Sequence, residues 1–287
     1  MSNISDITIL IVLYEESEEI VFKTLEQIKN FKKIIIDNKG NQELRRKILE
    51  KYDIFEYRLN IKNLGFSKGF NQAINLCKTK FAFIKNADCF IDEQNIIKLF
   101  DYIKEDTTCG IVSPTSYDNF GNLTYNSGKL PENEFSYLPI NVEGNICVEK
   151  VLGASMFLRT DDLKNLGMFN EKLFIYFSDD ELCKRIRNLN KSIVQIYNSK
   201  CIHTHGISKV KNKYKKIFLR EFHFTHDELI YYKNINDIKF IKLKSKLINY
   251  ILKVMINLIK LNISKSITYF ARVYALKKFM SAYKKIK

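Results

Sequence analysis

No aspartate or glutamate occurs between Ile238 and Lys287. That stretch holds 12 lysines and one arginine, a net +13 of the chain's formal +15, so the first 237 residues carry only +2. The globular part is therefore nearly neutral, and the basic character belongs to a tail. Long apolar runs are also missing: nothing approaches the ~18 uninterrupted apolar residues of a membrane-spanning helix, and none is expected. The six cysteines (Cys77, Cys89, Cys109, Cys147, Cys183, Cys201) show no CxxC pairing. They read as free, mostly buried thiols of a reducing compartment and not as a disulfide framework. The opening MSNISDITILIVLY has no basic segment or small-residue cleavage site, so it reads as a first strand and not a signal peptide. Proline is scarce: Pro114, Pro131 and Pro139 all lie within or at the edge of one turn-rich stretch, 114–150. That stretch reads as an irregular excursion shaping a substrate site. With 287 residues the chain can form one large domain with an appendage, or two small ones.

Strand and helix signals alternate in the first half. Ile7 to Tyr14 is a β-branched apolar run, the mark of a strand buried on both faces. Ser17 suits the cap of a helix with Val21, Leu25 and Ile28 on one face. Lys33 to Ile36 is a second strand ending in the turn Asp37-Asn38-Lys39-Gly40. A polar helix from Gln42 to Lys51, a strand near Phe55 to Leu59, a helix through Ala73 and Leu76, and a strand from Phe81 to Lys85 follow. A helix from Glu93 to Glu105, a short strand from Cys109 to Ser113 and another from Ser192 to Tyr197 complete the pattern. Such alternation argues for a mainly parallel sheet with helices on both sides, which binds ligands beyond the carboxyl ends of its strands.

Several stretches carry chemistry. The loop Asn63 to Asn71, with Gly65, Lys68 and Gly69 at a helix N-terminus, suits an anion, or is glycine-rich only for packing. It matches neither the Walker loop nor the dinucleotide fingerprint, which argues against a nucleotide triphosphatase or dehydrogenase. Asp88 ends the Phe81 strand; Asp92 better suits the cap of the next helix, which leaves Asp88 free to hold a hard divalent ion. Gly153 to Ile186 organises the chain: a small-residue turn, Gly153-Ala154-Ser155, then the aromatic run Phe174 to Phe177. The carboxylates Asp179 and Asp180 open the next helix, as helix-capping acids or as a general base beside aromatic walls. His203 and His205 share a face if extended, either as satisfied histidines or with one joining Asp88 at a metal–diphosphate centre. Ser208 to Lys216 reads as a basic loop. In the tail, Ile248, Ile251, Met255, Leu258 and Ile259 form a helical stripe, followed by a second amphipathic stretch from Ile267 to Ala282. Tyr250, Tyr269, Phe270, Tyr274, Phe279 and Tyr283 are available for the headgroup level of a membrane. The apolar content favours an anionic membrane surface over nucleic acid, and no nucleic-acid partner is expected; docking of the helical pair on the domain's own core is the structural alternative.

Tyr14, Asp37-Asn38, NLGFSKGFNQAI (Asn63 to Ile74), KNAD (Lys85 to Asp88), GASMFLRT (Gly153 to Thr160), GMFNEKLFIYFSDDELCKRI (Gly167 to Ile186) and the His203 to Ser208 segment follow one another in an order that resembles the family 2 inverting glycosyltransferases. Within these, the resemblance is to the rhamnosyltransferase-like branch acting on bacterial surface glycans. It covers Ile7 to Leu229. It implies an α/β, nucleotide-diphosphosugar-binding (GT-A type) Rossmann-like sandwich over 1–237, with a C-terminal basic amphipathic helical tail over 238–287. Tyr14, Asp37 and Asn38 would line a nucleoside pocket, and Gly65, Lys68, Gly69 and Asn71 the nucleotide-sugar cleft. Asn86 begins the metal motif and Asp88 ends it, holding Mg²⁺ or Mn²⁺, with His203 assisting at the diphosphate. The catalytic base would be Asp179, with Asp180 as the alternative and Glu181 as a third acid. Three positions depart from the family pattern: Glu15, Asn86 and Ser178. The implied partners are a UDP- or dTDP-linked donor and a glycan or lipid-linked acceptor, with the protein peripheral on the cytoplasmic face of the inner membrane and oligomerisation left open. The competing readings are a non-catalytic sugar- or lipid-binding protein of the same fold and a basic nucleic-acid-binding protein.

Overall fold

The computed structural model describes residues 4–133, 140–204, 212–233 and 240–284. In chain order the elements are β1 (Ile7–Leu13), α1 (Glu18–Gln27), β2 (Lys32–Asp37), α2 (Gln42–Lys51), β3 (Glu56–Leu59), α3 (Gly65–Leu76), β4 (Phe81–Lys85), β5 (Cys89–Phe90) and α4 (Glu93–Glu105). Then come β6 (Cys109–Tyr117), β7 (Ser127–Gly128), β8 (Ile146–Cys147), β9 (Lys150–Val151), β10 (Ser155–Arg159), α5 (Thr160–Asn165), α6 (Ser178–Asn188) and β11 (Ser192–His203). Helices α7 (Lys213–Lys233), α8 (Phe240–Ile259) and α9 (Ile263–Lys284) complete the chain. The expected caps Ser17 and Asp92 are in place, accepting from the N–H groups of Ile20 and Asn95 to start α1 and α4, and Asn41 accepts from Leu44 N–H to start α2.

Contacts divide the chain into two units, Met1–Asn170 with Ser178–Lys209, and Glu171–Phe177 with Val210–Lys287. The first is built on a mixed sheet in the order β3-β2-β1-β4-β10-β6-β11-β5, with β8 beside β11. β1, β2, β3 and β4 are mutually parallel, β10 runs antiparallel between β4 and β6, and β11 is parallel to β6. One apolar layer, including Ile9, Ile11, Ile35 and Phe83, lies on one face; a second, including Leu10, Ile34, Ile84 and Met156, lies on the other. Alternation along each strand thus feeds two cores.

This topology gathers one edge. The carboxyl ends of β1, β2, β4 and β11 all point the same way, and the antiparallel β10 begins there. Tyr14, Asp37, Asn86, Gly153 and His203 therefore share an edge although up to 189 positions separate them in the sequence.

Several expectations from sequence are corrected. The strand at Cys109 runs on to Tyr117, and the one at Ser192 to His203, because the two pair along their length. Their register shifts between Ile196 and Lys200, a bulge that breaks the alternation by which a strand is read. Nor does the division follow charge: α7 and the segment Glu171–Phe177 group with the C-terminal helices, so the second unit is more than a tail from 238. Arg272 of α9 forks onto Glu221 of α7 at 2.7 and 2.9 Å, and Leu229, Leu243, Tyr250, Leu276 and Phe279 form a core among the three helices. Tyr250 and Phe279 are thus core residues and not headgroup anchors. Part of the expected basic loop, from Lys213, is the first turn of α7. His205 lies outside the described residues, as does the side chain of Tyr283.

Candidate active site

At the edge of β1 and β2 the chain holds its turns with its own polar groups. The Asp37 carboxylate accepts from the N–H of Lys39 (2.7 Å), Gly40 (3.0 Å) and Asn41 (3.1 Å) and from the Tyr57 hydroxyl (3.2 Å). Asn38 donates to Gly65 O at 3.0 Å and accepts from Asn60 at 2.8 Å. Both residues are buried, and what they supply is the shape of the turn. Tyr14 is half-buried above it, and its N–H donates to Glu16. Burial, together with the nearby Asp88 and Asp37 charges, pushes the Glu16 carboxyl up to about 7 against the pull of two backbone N–H groups.

Gly65 opens α3 with φ +81°, a conformation that favours glycine. Gly69 answers a packing need: a Cβ there would sit 2.9 Å from Val12 Cγ1, so α3 lies hard against β1. Lys68 is exposed, whereas Asn71 is buried and bonds both backbone groups of Phe169, at 2.9 and 3.0 Å. Of the four residues expected along the nucleotide-sugar cleft, Gly69 and Asn71 serve packing within the fold.

Three connections bring the distant acids together. The Ser67 and Ser178 hydroxyls meet at 2.8 Å, joining the first turns of α3 and α6. Gly153 N–H donates to Asp179 Oδ2 at 2.9 Å. One residue on, Ala154 O accepts from Asn86 N–H at 3.0 Å. The Asp88 turn and Asp179 therefore flank the same Gly153-Ala154 step. Gly153 is glycine because a Cβ there would lie 2.5 Å from the Phe66 ring.

The successive acids of α6 differ in environment. Asp180 is buried in an ion pair with Lys150, itself almost fully enclosed. Burial and the neighbouring Asp179 charge raise the Asp180 carboxyl, and Lys150 offsets part of that rise. Burial also opposes the Lys150 charge, yet Asp180 and Asp179 hold its ammonium above the usual lysine range. Glu181 is forked by Arg185 at 2.8 and 2.9 Å, and Arg185 also reaches the Leu166 and Met168 carbonyls. Asp179 is half-buried and bonded only to backbone N–H groups among the hydrogen bonds described, from Gly153 and Asp180.

Asp88 Oδ1 lies 3.5 Å from His203 Nε2, and Asp88 O accepts from Thr204 N–H at 3.1 Å, fixing the turn against the end of β11. An oxygen and an imidazole nitrogen on one side of a cleft suit a divalent ion that completes its shell with diphosphate oxygens and water. Among the described residues no cluster of three or more His, Cys, Asp or Glu forms a self-sufficient cage. The residues present fit an ion shared with substrate.

Sequence reasoning missed two buried cations. Lys150 lies on a two-residue strand with no motif to flag it. Lys85, the last residue of β4, has no exposure, and burial pushes its ammonium down to about 8 beside Asp88 and two thiols; a lysine ending an otherwise apolar strand run was the available signal.

A mixed sheet whose carboxyl edge carries a helix N-terminus, a strand-end aspartate beside a histidine, and a half-buried carboxylate held by backbone amides has the make-up of a nucleotide-sugar-binding α/β domain of the GT-A type. Solved structures agree: GalNAc-T7, crystallised with UDP, GalNAc and Mn²⁺, aligns with TM-score 0.56 at 14% identity over 77% of this chain and 50% of its own. This chain thus spans about half the length of that enzyme. The mannosyltransferase PcManGT from Pyrobaculum calidifontis, in complex with GDP-Man and Mn²⁺, aligns with TM-score 0.58 at 13% identity over 98% and 76%. The chain belongs to glycosyl transferase family 2, whose model matches residues 8–164, more than half its length. It is also 25% identical over 221 residues, 72% of this chain and 70% of the relative, to the low-salt glycan biosynthesis hexosyltransferase Agl10 of Haloferax volcanii.

Proposed function

We propose that this glycosyltransferase moves a hexosyl or deoxyhexosyl residue from a nucleoside-diphosphate donor to a hydroxyl of a glycan or lipid-linked acceptor, with inversion. The observation that carries the reading is Asp179: the one acid of the α6 trio without an ion-pair partner among the described residues, joined to the Asp88 turn through the Gly153-Ala154 step. Asp179 takes the proton of the acceptor hydroxyl as its oxygen attacks the anomeric carbon from the face opposite the diphosphate. Gly153 N–H holds the carboxylate in place. A single protein base suffices, unlike hydrolysis by two acids across the bond. Asp88 and His203 would hold a divalent ion, which supplies positive charge against the departing diphosphate. Tyr14 and the turn shaped by Asp37 and Asn38 receive the nucleoside; the α3 N-terminus with Gly65 and Lys68 faces the diphosphate. The metal-bound relatives carry UDP and GDP-Man, which supports a nucleoside-diphosphate donor. The resemblance to rhamnosyltransferases of bacterial surface glycans and the glycan-biosynthesis relative support a role in envelope polysaccharide synthesis, with a UDP- or dTDP-linked sugar as the first donors to screen.

The test is release of nucleoside diphosphate, with and without acceptor, by wild type and Asp179→Asn. The variant is expected to lose roughly 10²–10⁴-fold in transfer while binding donor nearly as well. Wild-type turnover by Asp179→Asn would remove the base assignment, and donor binding by wild type with no release of nucleoside diphosphate, with or without acceptor, would favour a non-catalytic binding protein.

A further inference from the structure

Helix α8 has three different sides. Leu243, Leu247 and Tyr250 pack into the three-helix core. Lys242, Lys246, Lys253 and Lys260 fall along a second side. On the third, Ile248, Leu252, Met255 and Ile259 recur at positions i, i+4, i+7 and i+11, a single helical stripe, and all are exposed. The stripe grows barer toward its end, where Ile259 is 80% and Leu261 87% exposed, and Ile263 at the start of α9 continues it. Leu261 also adopts φ +55°. That helix-ending position favours glycine or asparagine, and a leucine there costs about 1–2 kcal/mol. An apolar tip is thus kept at a site where folding alone favours a smaller residue.

A face this apolar on a three-helix unit calls for an occupant. Charge identifies it. The stripe is edged by lysines and the segment from Ile238 onward has no acid, so a protein partner would have to be uniformly acidic around an apolar centre. An anionic lipid surface has that arrangement by construction, with acyl chains beneath a negative headgroup plane. No helix among the described residues is long and apolar enough to cross a membrane, so the fit is to a helix lying in the interface.

We propose that the exposed face of α8, with the α8–α9 turn at Leu261, docks the protein flat on an anionic bilayer. The apolar stripe enters the headgroup boundary, and the lysines along its edge, their stems against the apolar zone, reach the phosphates. This reading is independent of the transferase assignment, and its test needs neither donor nor acceptor.

The experiment is sedimentation of the full chain with vesicles of phosphatidylcholine alone and of equal parts phosphatidylcholine and phosphatidylglycerol. Wild type is expected in the pellet only with the anionic vesicles, less so as salt rises. The triple variant Leu252→Ser, Met255→Ser, Ile259→Ser changes exposed side chains only; it should keep the wild-type unfolding temperature and lose about 100-fold in partitioning. Lys253→Glu with Lys260→Glu should lose at least about tenfold. Unchanged binding by the triple variant, equal binding to both vesicle types, or no binding by wild type each overturns the proposal. So does a wild-type dimer that the triple variant converts to monomer while vesicle binding is unaltered, which would give the face to a second copy.

Discussion

Asp179, Asp180 and Glu181 are successive residues with the same ionisable group and three different fates. Asp180 lies opposite Lys150 in the interior, Glu181 is forked by Arg185, and Asp179 rests half-buried on the Gly153 amide. The Lys150–Asp180 pair has a testable energetic consequence. Removing only the cation leaves an unpaired acid in the interior, and Lys150→Met is expected to lose about 3–5 kcal/mol in urea unfolding at neutral pH. The deficit should shrink as pH falls. With its partner gone, Asp180 sits still higher in the fold than in the unfolded chain, so protonation favours the folded state and the loss grows as pH rises. The double variant Lys150→Met, Asp180→Leu should recover most of the stability. A single variant as stable as wild type at neutral pH would mean the pair carries no such weight.

Among elements, the segment Glu171–Phe177 that runs into α6 is organised by one side chain outside any sequence motif. Asp227 of α7, with no exposure, accepts the N–H groups of Phe174, Ile175 and Tyr176 on a single oxygen at 3.0–3.1 Å. Three successive amides aimed at one carboxylate form an anion nest, here filled from within the protein. The rings that read as aromatic walls for a base pack within this second unit: Phe174 stacks on His223 at 3.9 Å, and Phe177 lies against Tyr231. Asp227→Ala should cost about 2–4 kcal/mol, because three part-buried donors lose their shared buried acceptor at once. Hydrogen exchange should show Phe174, Ile175 and Tyr176 amides losing protection first. Retained protection at all three would assign the turn's order to its ring packing instead.

At the scale of the whole molecule, the proposed centre links binding to folding, because a ligand held only by the native state raises apparent stability. With Mn²⁺, a matching nucleotide sugar at about 100 times its Kd should stabilise the protein by about 2.7 kcal/mol, read as a rise in unfolding temperature. Chelation should remove most of that rise, and Asp88→Ala should lose the metal-dependent part while keeping a smaller response to nucleotide. A rise of equal size in Asp88→Ala would detach the metal from that residue. The same screen, run across sugars, names the donor, since stabilisation tracks affinity.

What the sequence alone determined is what short-range physics controls. Apolar β-branched runs specified buried strands, and side-chain oxygens at Ser17 and Asp92 set helix starts, because a cap needs only residues two or three positions away. The order of motifs was enough for the family, and the alternation of elements for the α/β class. Tertiary structure decided everything that depends on who meets whom. It separated Asp179 from Asp180 by burying Lys150 beside one of them, and carried β11 past a bulge so that His203 meets Asp88. It drew α7 into the C-terminal helical unit against the division that charge suggested, and enclosed Tyr250 and Phe279 while leaving the α8 stripe bare. Burial and pairing join residues tens to hundreds of positions apart, and no local pattern encodes which of two like groups will find a partner.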